Sequence, residues 1–138
     1  MDINDISGKV VDAAMRVHSL LGPGLLESVY EACLVHELSR TGLAVERQLA
    51  LPVHYDSVVV DAGLRLDIVV EKSVVLELKS VDSLQPIHIA QLLTYLRLGH
   101  YPLGLLLNFN VVHMKDGIKR IANNLGGSSA SSASSAVK

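Results

Sequence analysis

Apolar residues at Ile3, Ile6, Val10, Ala14, Val17 and Leu21 recur at the spacing of a helix with one buried face. Gly22-Pro23-Gly24 ends that helix. A second helix is expected from about Leu25 to Thr41, with Gly42 as its C-cap. The period then changes. Leu43–Tyr55, Val58–Val70 and Val74–Val81 are β-rich runs separated by turn signals at Asp56-Ser57 and Glu71-Lys72-Ser73, which predicts an antiparallel meander. Pro86 suits the first turn of a third helix running to about Leu98, and Gly99-His100-Tyr101-Pro102 breaks it. Leu103–Asn110 is almost wholly apolar, as expected of a central strand covered on both faces. Lys115-Asp116-Gly117 reads as a turn, and Ile118–Asn123 as a strand or a short helix. The order α-α-β-β-β-α-β-(β) predicts an α/β (α+β) domain, a sheet carrying helices on its faces.

Composition sharpens this in a few places. From Gly126 the chain turns to Gly, Ser and Ala with nothing to bury, so residues 1–125 are expected to form one domain and 126–138 a flexible tail. Aromatic residues are only 4% of the 138, with no Trp, so Val, Leu and Ile must fill the core. The formal net charge of -2 provides no bulk positive field, which counts mildly against nucleic-acid binding without excluding it. The single cysteine, Cys33, cannot form an intramolecular disulfide and falls at helical spacing among Val29, Tyr30, Leu34 and Leu38, as a core residue would. No secretory signal and no run long enough to span a membrane is apparent, so a soluble cytoplasmic protein is expected.

Charges inside two otherwise apolar strands are the main chemical signal: Leu64-Arg65-Leu66-Asp67-Ile68-Val69-Val70 and Val74-Val75-Leu76-Glu77-Leu78-Lys79. With Glu71-Lys72-Ser73 as a three-residue turn, Val70 faces Val74, Asp67 faces Glu77 and Arg65 faces Lys79. Strict alternation then puts these four charged residues on one face, and Leu64, Leu66, Ile68, Leu76 and Leu78 on the other. Two opposed carboxylates repel unless a cation lies between them. A hard divalent ion, Mg²⁺ or Mn²⁺, suits their oxygens, with Lys79 beside it to hold a water or steady charge on a phosphate. A solvated lattice of diagonal pairs, Asp67–Lys79 and Arg65–Glu77, fits the same spacing, and spacing alone leans toward it.

Two helical pairs stand near this hairpin in the expected fold. Glu27 and Tyr30 are one turn apart; Glu27 alternatively only favours a helix N-terminus, and Tyr30 only packs. Gln91 and Tyr95, at i and i+4, interrupt an apolar surface and could orient a phosphate or the lysine, or be hydrogen-bonded within the fold. His88 is expected to cap or pack. The six histidines show no HExxH spacing, no Gly-Lys-Ser/Thr follows Gly22-Pro23-Gly24, and there is no Gly-x-Ser-x-Gly elbow.

Gly24-x-x-Glu27-x-x-Tyr30, Arg65-Leu66-Asp67, Glu77-Leu78-Lys79, Pro86-Ile87-His88, Gln91-Leu92-Leu93-Thr94-Tyr95 and Leu107-Asn108-Phe109-Asn110, in that order, resemble the GxxExxY family from about Ile6 to Asn123. That family is placed in the PD-(D/E)xK nuclease superfamily. The resemblance implies a restriction-endonuclease-like mixed sheet flanked by helices and a Mg²⁺- or Mn²⁺-dependent phosphodiesterase acting on nucleic acid, DNA before RNA. It implies metal binding by Asp67, Glu77 and the Leu78 carbonyl, with Glu27 completing the shell directly or through water. Lys79 would position the attacking water, and Gln91 and Tyr95, similar to the QxxxY element of RecB-like members, would orient Lys79 or the phosphate. Arg65 would contact substrate, with Tyr30 in support. A catalytically silent module binding nucleic acid or a protein partner is the alternative, and a homodimer that assembles the substrate groove a further one.

Overall fold

A computed structural model gives the architecture and describes residues 1–124. The proposed tail, 126–138, lies outside the described residues. Helices α1 (Ile3–Leu21) and α2 (Glu27–Arg40) precede strands β1 (Val45–Ala50), β2 (Val53–Tyr55), β3 (Val58–Val60), β4 (Arg65–Val70) and β5 (Val74–Lys79). Helix α3 (Pro86–Gly99), strand β6 (Leu103–Asn108), a 3₁₀ turn (Met114–Gly117) and strand β7 (Ile118–Ala122) follow. The main sheet runs β1-β4-β5-β6-β7, with β5 and β6 parallel and the other neighbours antiparallel. It is thus a mixed sheet in an α+β domain, as the order of elements predicts. Ile118–Asn123, expected as a strand or a short helix, holds the edge strand β7. No described helix is long and apolar enough to cross a membrane.

The sheet separates two cores. On one side Ile6, Val10 and Val17 of α1 and Leu34 and Leu38 of α2 pack on Ile68, Leu76, Leu78 and Leu105. On the other, Leu92, Leu93 and Leu96 of α3 pack on Val69, Val75, Leu106 and Ile121. Strand β6 is buried along its whole length, which accounts for its unbroken apolar run. Cys33 is half-buried against the first core. The start of α3 is fixed by a reciprocal cap: the Gln85 N–H donates to His88 Nδ1 at 3.0 Å, giving His88 the capping role expected of it.

Three expectations need correction. The runs Leu43–Tyr55 and Val58–Val70 are each two strands, because Pro52 offers no N–H to a ladder and Gly63 takes a left-handed φ of 77°. Strands β2 and β3 therefore leave the sheet as a separate two-stranded ribbon. Helix α2 starts at Glu27, not Leu25, since Leu26 is extended, with ψ 150°, and serves as its N-cap.

The third correction concerns the faces. Ile68 and Val70 pack with α1 and α2, but Leu66 and Leu64 pack with α3. The same switch occurs on β1, where Val45 joins the first core and Leu49 and Leu51 the second. Both strands keep one register throughout, Arg47 facing Ile68 and Leu49 facing Leu66, with the Gln48–Asp67 pair absent between them. No residue has been inserted. Instead Gln48 adopts a left-handed φ of 49°, which breaks the alternation without shifting the pairing. Such a conformation costs a non-glycine residue about 1–2 kcal/mol.

Candidate active site

The three-residue turn sets the β4–β5 register as counted: Val70 faces Val74, Val69 faces Val75 and Ile68 faces Leu76. There the backbone ladder stops, and side chains take over. The Asp67 N–H donates to Glu77 Oε1 at 3.2 Å, and the Leu78 N–H donates to Asp67 Oδ2 at 2.8 Å. Two carboxylates thus hold the parted strand ends together. Glu77 is only 7% exposed and Asp67 is half-buried.

Burial first, and then the charge of Asp67, push the Glu77 carboxyl up to about 8. Asp67 is raised too, by burial first; the Leu78 N–H opposes this and the charge of Glu31 adds to it. Lys79 lowers both, so its ammonium is near enough to be felt. It forms no ion pair with either. The ion pairs among the described residues are Arg16 and Arg40 with Glu37, and Arg47 with Glu31. The solvated charge lattice that the spacing allowed is therefore not formed.

The other expected residues divide. Tyr95, half-buried on α3, has its phenol pushed up by burial and then by the charges of Glu77 and Asp67, so it lies within their electrostatic reach. Gln91, one turn earlier, is exposed and makes no side-chain hydrogen bond among the described residues. Glu27 lies in the exposed first turn of α2 and lines a cavity of about 240 Å³ with Ser28, Glu31, Gln48, Asp67 and Leu78. Arg65 is exposed at the start of β4, its Nη1 donating to the Leu64 carbonyl at 3.1 Å.

Tyr30 does not join them. It is 0% exposed and stacks on Phe109 at a centroid distance of 4.5 Å. Its hydroxyl donates to the Gly22 carbonyl at 2.6 Å and accepts from the Leu25 N–H at 3.1 Å. The grouping of Tyr30 with Arg65 at the substrate is thus corrected: buried, Tyr30 gives support only by bracing the loop that delivers Glu27. Ser80 Oγ ties the same loop to the end of β5, donating to the Leu25 carbonyl at 2.7 Å. Tyr30→Phe keeps the stack but strands two backbone groups. It should lower stability by about 1–3 kcal/mol, read as a lower urea midpoint.

Three residues near the site escaped the sequence reading. Glu31 stands one turn beyond Glu27, and its Oε1 accepts from Gln48 Nε2 at 2.7 Å. The i, i+4 spacing of Glu27 and Glu31 was the available signal. Gln48 carried none. Asn108, buried at the end of β6 beside Lys79, clasps Val81 by accepting from its N–H at 3.1 Å and donating to its carbonyl at 3.0 Å. A lone amide closing an apolar run was the hint.

No three His, Cys, Asp or Glu side chains gather as a metal cage among the described residues. What the sheet and helices present is a desolvated carboxylate pair within electrostatic reach of a lysine and a phenol, with Asp67 lining the cavity beside α2. A family model described as the PD-(D/E)XK nuclease superfamily matches residues 4–121, and the chain belongs to that superfamily. The mixed five-stranded sheet with helices on both faces is consistent with its restriction-endonuclease-like fold. No curated protein and no solved structure matches the chain.

Proposed function

We propose that this chain is a Mg²⁺- or Mn²⁺-dependent nuclease that hydrolyses phosphodiester bonds, in DNA rather than RNA, and that it belongs to the GxxExxY branch of its superfamily. The observation that carries the reading is the Asp67–Glu77 pair: two carboxylates bonded across parted strands, largely out of water, with no ion pair among the described residues to neutralise them. Superfamily members typically use divalent metal ions.

The donor set suits such an ion. Asp67, Glu77 and the Leu78 carbonyl offer only oxygen, and Mg²⁺ takes one or two carboxylates while keeping several waters. A preformed cage of three acidic side chains is not required. Glu27 and Asp67 line one cavity, which supports a water-mediated contact from Glu27 as the completion of the shell. When bound, the ion supplies positive charge for the phosphate and acidifies a water.

This chain's own groups do the rest. Lys79 holds the attacking water and adds positive charge beside the developing phosphorane. The Tyr95 phenol, with Gln91 one turn away, donates to Lys79's partner water or to the phosphate. Arg65, exposed at the strand end, contacts the phosphate backbone of the substrate. Tyr30 and Ser80 hold the α2 loop in place behind Glu27.

The test is cleavage of supercoiled plasmid, single-stranded DNA and RNA, with Mg²⁺, with Mn²⁺ and with chelator. DNA cleavage that requires the ion supports the reading. Binding of Mn²⁺ with no cleavage of any substrate replaces it with the silent module, which the net charge of -2 favours. The molar mass in solution separates a monomer from a dimer that completes the groove.

A further inference from the structure

The left-handed residue in β1 stands at the register position of the nuclease aspartate. Gln48 would pair with Asp67, and that pair is absent although the ladder continues on both sides. Its side chain is not free. Gln48 Nε2 donates to Glu31 Oε1 at 2.7 Å, and Arg47 Nη2 donates to Glu31 Oε2 at 3.0 Å. Both oxygens of one α2 carboxylate are thus taken by adjacent residues of β1.

We infer that Gln48, clamped by Glu31, is the positioning residue that turns Asp67 into the site. The inference rests on the metal-site reading above. In unbroken alternation Asp67 would share the α3 face with Val69. Instead it lines the cavity under α2 together with Gln48, Glu31 and Glu27. The left-handed turn removes the backbone pairing opposite Asp67, and on the other side, where the β4–β5 ladder has ended, its carboxylate accepts from the Leu78 N–H. A strained backbone residue in mid-strand persists only where its surroundings over-determine it, and such residues cluster at functional sites. Here the surroundings are the Glu31 carboxylate and the Arg47 that holds it. Gln48 touches no reacting atom; it acts through Asp67.

The test compares Gln48→Gly with Gln48→Val. Both lose the amide to Glu31, but glycine accepts the left-handed backbone and valine, β-branched, does not. Two quantities are read: the Mn²⁺ dissociation constant by calorimetry, and hydrogen exchange of the Leu78 amide relative to that of Leu105 in the central strand. Gln48→Val should bind Mn²⁺ about tenfold or more weakly than Gln48→Gly, as losses around a metal site do. Its Leu78 amide should exchange faster by a similar factor while Leu105 stays protected. Glu31→Ala, which keeps α2 helical, should move both readings the same way and keeps the question answerable where valine does not fold. Equal Leu78 exchange in the glycine and valine variants, or a Glu31→Ala variant like wild type in that exchange, overturns the inference. Absence of Mn²⁺ binding by the wild type overturns the nuclease reading instead, and the Leu78 comparison still decides this one.

Discussion

Lys79→Ala and Asp67→Asn should each abolish ion-dependent DNA cleavage, lowering kcat by a factor of about 10²–10⁴. The two act differently. Lys79 is half-buried near the carboxylate pair and forms no ion pair among the described residues, so its removal takes away a charge and a hydrogen-bond donor without breaking a described contact. Asp67→Asn keeps an oxygen for the Leu78 N–H, which preserves the strand join while removing half the anionic donor set. Lys79→Arg should not restore the rate, because a planar fork does not replace a compact ammonium beside a single water. Circular dichroism and a urea midpoint near wild type show that each variant is folded, and the cleavage assay then reads the chemistry. Equal cleavage by wild type and both variants would assign the activity to a contaminant.

The second large effect is on stability. The Glu77 carboxyl rises from 4.5 to about 8 on folding, chiefly by burial and next by the Asp67 charge. Its proton is therefore held more tightly in the folded chain than in the unfolded one. Below the unfolded value both states are protonated and the stabilisation is fully present. As pH rises toward 8 the unfolded state has released its proton and the folded state has not, so stability falls by about 1.4 kcal/mol per pH unit over that window. The full effect is on the order of a few kcal/mol, shared with Asp67 because the two titrate together. The metal-free protein should thus melt at a lower temperature at pH 8 than at pH 5.5. Mn²⁺ should raise the midpoint at pH 8 by several degrees and do little at pH 5.5, where it competes with the proton. Glu77→Gln keeps an acceptor for the Asp67 N–H and removes the charge. It should flatten the pH slope, raise the metal-free midpoint at pH 8 and cancel the response to Mn²⁺. Melting curves across pH, with chelator and with Mn²⁺, measure all of these. A slope in Glu77→Gln as steep as wild type would move its origin elsewhere.

Much of the site follows from simple counting because its centre is a hairpin. A three-residue turn with β-branched flanks admits one register, and that register opposes Asp67 to Glu77. The helices were readable from their period and the His88 cap from local chemistry, while Gly42, expected as the C-cap of α2, is the left-handed residue just after the Thr41 cap. The faces beyond Asp67 were not readable. Leu64, Leu66 and Ile68 fit one uninterrupted alternation, and a glutamine gives no warning of a left-handed turn, as a glycine or asparagine would have. The Glu27–Tyr30 pair misled for a geometric reason. Residues three apart on a helix are offset by about 60°, enough at the edge of a core to bury one and leave the other in solvent. Glu31 was missed because its role depends on β1, whose approach to α2 is a tertiary fact.

Asp67 and Glu77 lie 10 residues apart on a single hairpin, whereas Ser80 reaches Leu25 across 55 residues and Asn108 reaches Val81 across 27. Closing the hairpin orders a short loop, and local contacts of this kind form early in assembly. At that stage water still surrounds both carboxylates and screens them. Their mutual repulsion and loss of hydration arise only when α2 and α3 cover the strands. The late packing of the helices should therefore be the step that responds to cations and to pH, seen in stopped-flow refolding as a slow phase that Mn²⁺ accelerates at pH 8 and leaves unchanged in Glu77→Gln. On the proposed reading the acidic pair would then act as a brake on the last stage of folding, and a bound ion would release it.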